Sequence, residues 1–332
     1  MTKTCLVTGA NGFLGTNLVH ELVREGWKVR ASGRGDQPCR WIADLPIDYC
    51  RADITHADQV LAAVQGCEVV FHVAGDTSFW KRQYPRQWAN NVEGTRNVAR
   101  ACLQAGVGRM VHTSTADVFG YEPDGGVVDE THAFNYEGLD YHYGESKLAA
   151  DQALREVIAQ GLDAVLVHPG SIIGPFDHTL QFGRFFFELK QGDVPGSPSG
   201  GSSFCHATEV ARGHIRAAER GRCGESYLLA GNAATNVSHA QLIRQMAEAV
   251  GAKPPGLVIP EWLLVTYAAG CELVSALTGK PPQLNPGQAR YMSRPQACSS
   301  ARAERELGYR VPSLEVCIAD SLAWYRENGF EI

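Results

Sequence analysis

From Cys5 onward the chain alternates between two spacings of apolar residues. The run CLVT at 5–8 gives way to a stretch in which Leu14, Leu18 and Leu22 share one face, and this to VRAS at 29–32. Short β-branched runs predict buried strands and residues four apart predict a helical stripe, so the opening reads as a strand–helix–strand unit. The rhythm continues with a strand at Val69–Val73 and a helix from about Tyr84 to Ala105. A strand at Met110–Thr113, a helix from about Tyr141 to Gln160 and a strand at Ala164–Val167 follow. Apolar strands separated by helices predict an α/β protein with a doubly wound parallel sheet, helices covering both faces.

After Pro169 the texture changes. Gly and Pro become frequent, as in GDVPGSPSGG at 192–201, and helices mix with short strands. The expected division is a sheet-bearing part at 1–170 and a smaller mixed α/β lobe at 171–332, with some segments of the lobe returning to the sheet. The apolar stretch Trp262–Leu277 is interrupted by Glu272. It is shorter than the roughly 20 apolar residues of a membrane span. It reads as a buried or cavity-covering helix, with peripheral membrane contact by 258–277 left open.

At 332 residues and 44% hydrophobic composition the chain has enough apolar material for a large core. The formal charge of -6 includes no basic run, which argues against a nucleic-acid partner. The ten cysteines form no CxxC and no cluster with histidine, so they read as reduced thiols of a cytoplasmic protein without a metal site. Met1 leads directly into the apolar segment Thr4–Thr8, without the pattern of a secretory signal.

Chemistry enters with TGANGFLG, where Gly9, Gly12 and Gly15 stand three apart between a strand and a helix. Gly9 suits a tight turn, Gly12 a close approach of backbone to a pyrophosphate, and Gly15 close helix–strand packing; the helix N-terminus offers free N–H groups. This is a Rossmann-type dinucleotide site, spaced GxxGxxG rather than GxGxxG. At the end of the second strand the chain reads ASGRG, without the carboxylate that commonly meets the ribose 2′-hydroxyl of NAD. Arg34 can pair with a 2′-phosphate, so NADP(H) is expected, with NAD(H) left open.

A second constellation lies further on. YGESK places Tyr143 and Lys147 four apart, on one helical face. A tyrosine with an ordinary pKa of ~10 shuttles protons poorly at neutral pH unless a cation favours its phenolate. Upstream, TSTADVFG puts the hydroxyls of Ser114 and Thr115 at the C-terminal end of a strand, where open α/β sheets bind ligands. His72, inside the apolar run VVFHVAG, reads as a core histidine.

TGANGFLG, NVEGTRNV at 91–98, STADVFG, YGESK and HPGSIIGP at 168–175 together resemble the extended short-chain dehydrogenase/reductase family, in order and spacing, over essentially the whole chain. The resemblance implies that Thr115 bonds the substrate oxygen, that Tyr143 is the general acid/base, and that Lys147 holds the nicotinamide ribose and lowers the Tyr143 pKa. It implies cofactor contacts from Asn11, Phe13 and Leu14 in the turn and from Asp53 and Ile54 at the adenine. Val73, Ala74, Gly75 and Thr113 line the groove, with Pro169 and Ile172 near the nicotinamide. Asn91 braces the sheet, and a homodimer forms through the helices beginning near Tyr84 and Tyr141.

Departures from the family pattern narrow the reaction. Dehydratases carry Thr-Asp-Glu where this chain has Thr115, Ala116 and Asp117, so the acid of that run is missing. Many nucleotide-sugar enzymes carry Arg-Asp where it has Ser202 and Ser203, and Asn where it has Ser171. A diphosphate then lacks a charge-assisted partner unless a residue such as Arg184 substitutes. The dihydroflavonol-4-reductase-like and 3β-hydroxysteroid-dehydrogenase-like branch is the most similar. It implies NADP(H)-dependent reduction of a ketone or aldehyde, or the reverse oxidation of a secondary alcohol. The alternatives are a nucleotide-sugar epimerase that retains NAD(P), or a silent NADP(H)-binding sensor. The expected pocket draws on Phe79, Trp80, Ser171, Phe204, the region after Pro175 and the loop from Pro198 to Cys205, and suits a largely apolar small molecule.

Overall fold

A computed structural model describes residues 3–332. Seven strands, β1 (Thr4–Thr8), β2 (Lys28–Gly33), β3 (Asp48–Arg51), β4 (Val69–His72), β5 (Arg109–Thr113), β6 (Ala164–Pro169) and β7 (Ser226–Leu229), form one sheet. Every pairing in it is parallel, in the spatial order β3-β2-β1-β4-β5-β6-β7. The order reverses between β1 and β4. The C-terminal ends of these two strands therefore open onto a crevice that no crossover connection covers, which is where such sheets hold ligands.

Alternation along the strands explains the two layers. Cys5, Val7, Phe71, Val111 and Val165 face one side, against α1 (Phe13–Arg24) and its residues Leu14, Leu18 and Leu22. Leu6, Val70, Met110, Ala164 and Leu166 face the other, against α2 (Ala57–Val64), α3 (Gly94–Ala105) and α4 (His142–Ile158). Strands buried on both faces must be apolar throughout, which is why they read as unbroken apolar runs. Polar β3, DYCR, lies at the sheet edge and carries no such signal.

The long helix expected from Tyr84 to Ala105 is continuous but not uniform. A turn of π-helix at Ala89–Glu93 joins Tyr84–Trp88 to α3. Asn90 and Asn91 are buried in this widened turn.

Residues after 170 divide between two places. Strands Ser171–Ile173, Gly201–His206 and Asn236–Ser238 make a small separate sheet. Helices Arg184–Gln191, His239–Ala249 and Leu314–Glu327 surround a second core of Phe186, Phe204, Met246 and Tyr325. In contrast α5 (Ala207–Arg220) packs beside α1, and β7 extends the main sheet next to β6. The stretch expected to form a buried or covering helix is α6 (Glu261–Thr278), and only a narrow seam of it, Leu264, Ala268 and Ser275, is buried. No helix among the described residues is long and apolar enough to cross a membrane.

Candidate active site

The turn after β1 is held open by absent side chains. Gly9 has φ +69, and a Cβ there would stand 2.7 Å from Cα of Ala74 at the end of β4. A Cβ on Gly15 would overlap the carbonyl oxygen of Gly9. These two contacts press α1 against the strand ends. Gly12 caps α1 with no side-chain hydrogen bond, and the first turn holds no acidic residue, so its amide N–H groups face the crevice uncovered. That arrangement fits a pyrophosphate. Asn11 ties the turn to the β2–β3 loop and to β3: its Oδ1 accepts from the Cys39 amide at 2.9 Å and its Nδ2 donates to the Tyr49 hydroxyl at 3.0 Å.

Arg34, just beyond β2, is exposed, lines the crevice and has no ion-pair partner among the described residues. The nearby carboxylate of Asp36 is engaged by Arg51 at 2.9 Å. The strand end thus presents a free guanidinium and no free acid.

A cavity of about 960 Å³ runs from the glycine turn over the strand ends and into the lobe. Every site residue named from the sequence lines it except Asp53, Trp80 and Phe204. Oδ1 of Asp53 accepts from the amide and hydroxyl of Thr55 at 2.9 and 2.8 Å, while its neighbours Ala52 and Ile54 reach the cavity. Trp80 lies against the Arg82 guanidinium, 5.7 Å from its ring centre. Phe204 belongs to the lobe core, edge-on to Phe182 at 5.7 Å, and it is Phe182 that meets the cavity. Ser171 and Ser202 hydrogen-bond each other at 2.6 Å on the cavity wall. Arg184 reaches the same cavity and has no ion-pair partner among the described residues.

At the end of β5 the predicted constellation converges. Lys147 is buried, and its Nζ donates to the carbonyl oxygen of Thr113 at 2.7 Å. Burial pulls its pKa down to about 8, against the opposing pull of Asp151 one helical turn further on. Tyr143 behaves otherwise than the resemblance implies. Burial and then the charge of Asp117 push its phenol above the ordinary value, and only the hydrogen bond with Thr115 counters them. The Lys147 ammonium is turned to a backbone carbonyl, so the protein's own groups favour the protonated tyrosine.

Asp117 is the residue that sequence reasoning passed over. Its Oδ2 accepts from Thr115 Oγ1 at 3.0 Å and from the Tyr141 hydroxyl at 2.7 Å, and its Oδ1 accepts from the Tyr291 hydroxyl at 2.9 Å. Burial raises its pKa, and the three hydroxyls oppose the rise. Three donors converging on two oxygens suit the ionised form. The rings of Tyr141 and Tyr291 stack at 4.1 Å, 13° from parallel. Tyr141 is two residues from Tyr143, yet its hydroxyl is committed to Asp117. Tyr291 stands 174 residues from Asp117, beyond any local pattern.

A second buried carboxylate supports the lysine. Asp151 Oδ2 accepts from the Ser114 hydroxyl at 2.8 Å, and His112 Nε2 lies 3.3 Å from its Oδ1. Asn91 braces the site: its Oδ1 accepts from the Asp76 amide at 2.7 Å and its Nδ2 donates to Ser146 at 2.9 Å, joining the β4 loop to α4. His72 is a satisfied core residue, bonded to Thr8 at 2.8 Å and Thr95 at 3.1 Å.

The sequence of residues 5–230 matches the model of the NAD dependent epimerase/dehydratase family. The chain belongs to that family. A protein of Synechocystis sp. that bears the provisional name dihydroflavonol 4-reductase is 30% identical, over 99% of this chain and 96% of its own. Sterol demethylase protein B of Methylococcus capsulatus is 30% identical over 98% and 99%. The crystal structure of gox2253 superposes with a TM-score of 0.85 at 30% identity, over 99% of this chain and all of the other. As a member of the epimerase/dehydratase family, and of its extended short-chain dehydrogenase/reductase type, the protein is an enzyme that uses a nicotinamide cofactor on a small molecule.

Proposed function

We propose that the protein is an NADP(H)-dependent reductase of a largely apolar ketone or aldehyde, which in reverse oxidises a secondary alcohol. The observation that carries this reading is the convergence of Thr115, Tyr143 and Lys147 in one cavity with the uncapped turn of α1. In this reading the α1 N-terminus holds the pyrophosphate, Ala52 and Ile54 flank the adenine, and Val73, Ala74 and Gly75 form the groove floor. Arg34 pairs with the 2′-phosphate, supported by its freedom and by the engagement of Asp36 with Arg51. When bound, the cofactor supplies or accepts a hydride.

The protein supplies the proton. Tyr143, held protonated by burial and by Asp117, donates to the carbonyl oxygen, which Thr115 positions once its hydroxyl proton turns from Asp117 to that oxygen. Lys147, its ammonium anchored on the Thr113 carbonyl, orients the ribose. A side chain poised as an acid favours the reductive direction. Phe79, Leu180, Phe182, Leu242, Ile243 and Met292 supply apolar walls. The reading includes residues 1–170 as cofactor domain, the remainder as substrate lobe, a cytoplasmic location and a homodimer through the helices beginning near Tyr84 and Tyr141.

One observation favours a second reading. Arg184 lines the cavity without an ion-pair partner among the described residues, where it can meet a diphosphate, as a nucleotide-sugar epimerase requires. The two are separated by incubating the protein with NADPH or NADH and aromatic, aliphatic and steroidal ketones, with nucleotide sugars assayed in parallel. Stoichiometric consumption of NADPH supports the reductase. Isomerisation of a nucleotide sugar without net cofactor oxidation establishes the epimerase instead.

A further inference from the structure

The large apolar side chains left at the surface are not scattered. Twelve are exposed among the described residues, and eight of these lie between Leu257 and Leu277. Trp262, Leu263, Tyr267, Leu273, Val274 and Leu277 are on α6, and Leu257 and Val258 are just before it. At about 100° per residue the six fall within an arc of about 140°, one continuous outward face. Leu277 is 81% exposed and Trp262 68%, so this is not the rim of a core. The inner seam packs on helix Pro286–Tyr291, which also carries Gln288 and Tyr291 to the cavity.

Of the four charged residues between 253 and 280, the two carboxylates are paired and the two lysines are not. The carboxylates lie at the margins of the face and are neutralised, Glu261 by Arg294 at 2.6 and 3.0 Å and Glu272 by Lys81 at 3.1 Å. Lys253 and Lys280, exposed before and after α6, and exposed Arg82 near Gly279, have no ion pair among the described residues. A protein of net charge -6 thus flanks its most exposed apolar helix, before and after it in the chain, with unpaired cations.

We propose that this face docks the protein on the surface of an anionic lipid bilayer, with α6 lying in the headgroup plane. Apolar side chains enter the acyl boundary, Trp262 and Tyr267 sit at the interface where amphipathic rings are favoured, and the flanking cations meet lipid phosphates. A second copy of the chain fits less well. Two-fold pairing of antiparallel α6 helices brings Lys280 of each copy to the N-terminal end of the other's α6, where Glu261 is already paired with Arg294 and no free acid meets it. Docking goes beyond the reductase reading and does not depend on it. If both hold, the cavity lies one helix away from a lipid-dissolved carbonyl compound.

The test is flotation of the intact protein with vesicles of phosphatidylcholine alone and of phosphatidylcholine with an equal part of phosphatidylglycerol. The wild type is expected to float with the anionic vesicles, less with the neutral ones, and less again as salt screens the margin. The triple variant Trp262→Ser, Leu273→Ser, Leu277→Ser is expected to keep its melting temperature and NADPH binding while losing affinity for vesicles about tenfold or more. Wild type that stays with neither vesicle, or a variant that floats as well as wild type, overturns the proposal. So does a wild-type dimer in sedimentation that this variant dissociates while vesicles capture neither protein. Turnover is not read in these measurements, so failure of the reductase reading leaves their outcome intact.

Discussion

The hydroxyl of Thr115 donates to the carboxylate of Asp117 at 3.0 Å, so the residue expected to grip the substrate oxygen is itself oriented by a buried acid. With that proton engaged and one lone pair accepting the Asp117 amide at 3.4 Å, Thr115 has a single lone pair left for Tyr143 or a substrate hydroxyl. Asp117 therefore touches Thr115 through a hydrogen bond and Tyr143 through its charge, the two residues to which the proposed reaction gives the substrate oxygen.

Asp117→Asn removes the charge that raises Tyr143 and confronts the surrounding hydroxyls with an amide donor. The loss of hydrogen bonds to a charged group predicts a fall in the reductive kcat of about tenfold to a hundredfold. In alcohol oxidation, where Tyr143 must be deprotonated, the alkaline rise in rate should move to lower pH. Profiles of kcat against pH in both directions check this; an unmoved oxidative limb contradicts the charge effect.

Lys147 gives a pH dependence of its own. With a pKa of about 8 it carries its charge below that value and loses it above. The kcat/KM for the cofactor, which reports the free protein, should fall as pH rises through about 8. Lys147→Arg, which stays charged, should abolish the fall even if it lowers the plateau. Asp151→Asn should move the fall to lower pH, since Asp151 opposes the effect of burial.

Arg34→Ala tests cofactor preference. A guanidinium–phosphate pair worth about 1.5–3 kcal/mol predicts NADPH affinity lower by about ten- to a hundredfold, with NADH changed little. Fluorescence titration with each cofactor measures it. Equal losses for both would place Arg34 outside the 2′-phosphate site.

Acid should destabilise the fold before it touches the carboxylates. Burial lowers His168, His214 and His239 to about 4, from an ordinary 6.5. Between these values the unfolded chain binds more protons than the folded one, so stability is complete above pH 6.5 and is lost as pH falls towards 4. At pH 5 the cost is roughly 2 kcal/mol for each ring. Calorimetry at pH 7.5 and pH 5 should show a melting temperature several degrees lower in acid.

Much of this architecture is legible from the chain because its signals are local. Buried parallel strands must be apolar on both faces, so CLVT and VVFH announce themselves, and a turn that cannot tolerate a Cβ spells itself as Gly9 and Gly15. Tyr143 and Lys147 are one helical turn apart and need no tertiary information to be paired. The rest depends on contacts that only folding creates. Tyr291 reaches Asp117 from the far end of the chain, and Asp117 is defined by its burial and its donors, neither of which is written in STADVFG. Phe204 and Trp80 show the converse error, since large side chains near a site in sequence pack elsewhere. α6 misled because an apolar helix is ordinarily buried, whereas this one turns its broad face outward.

Tyr143 as proton donor is tested by turnover of Tyr143→Phe, measured as NADPH oxidation with the best ketone or aldehyde for the wild type, with cofactor affinity titrated on the same preparation. Loss of the proton donor alone predicts kcat lower by about 10²–10⁴-fold with NADPH affinity unchanged. Undiminished turnover with NADPH bound as before would contradict the account.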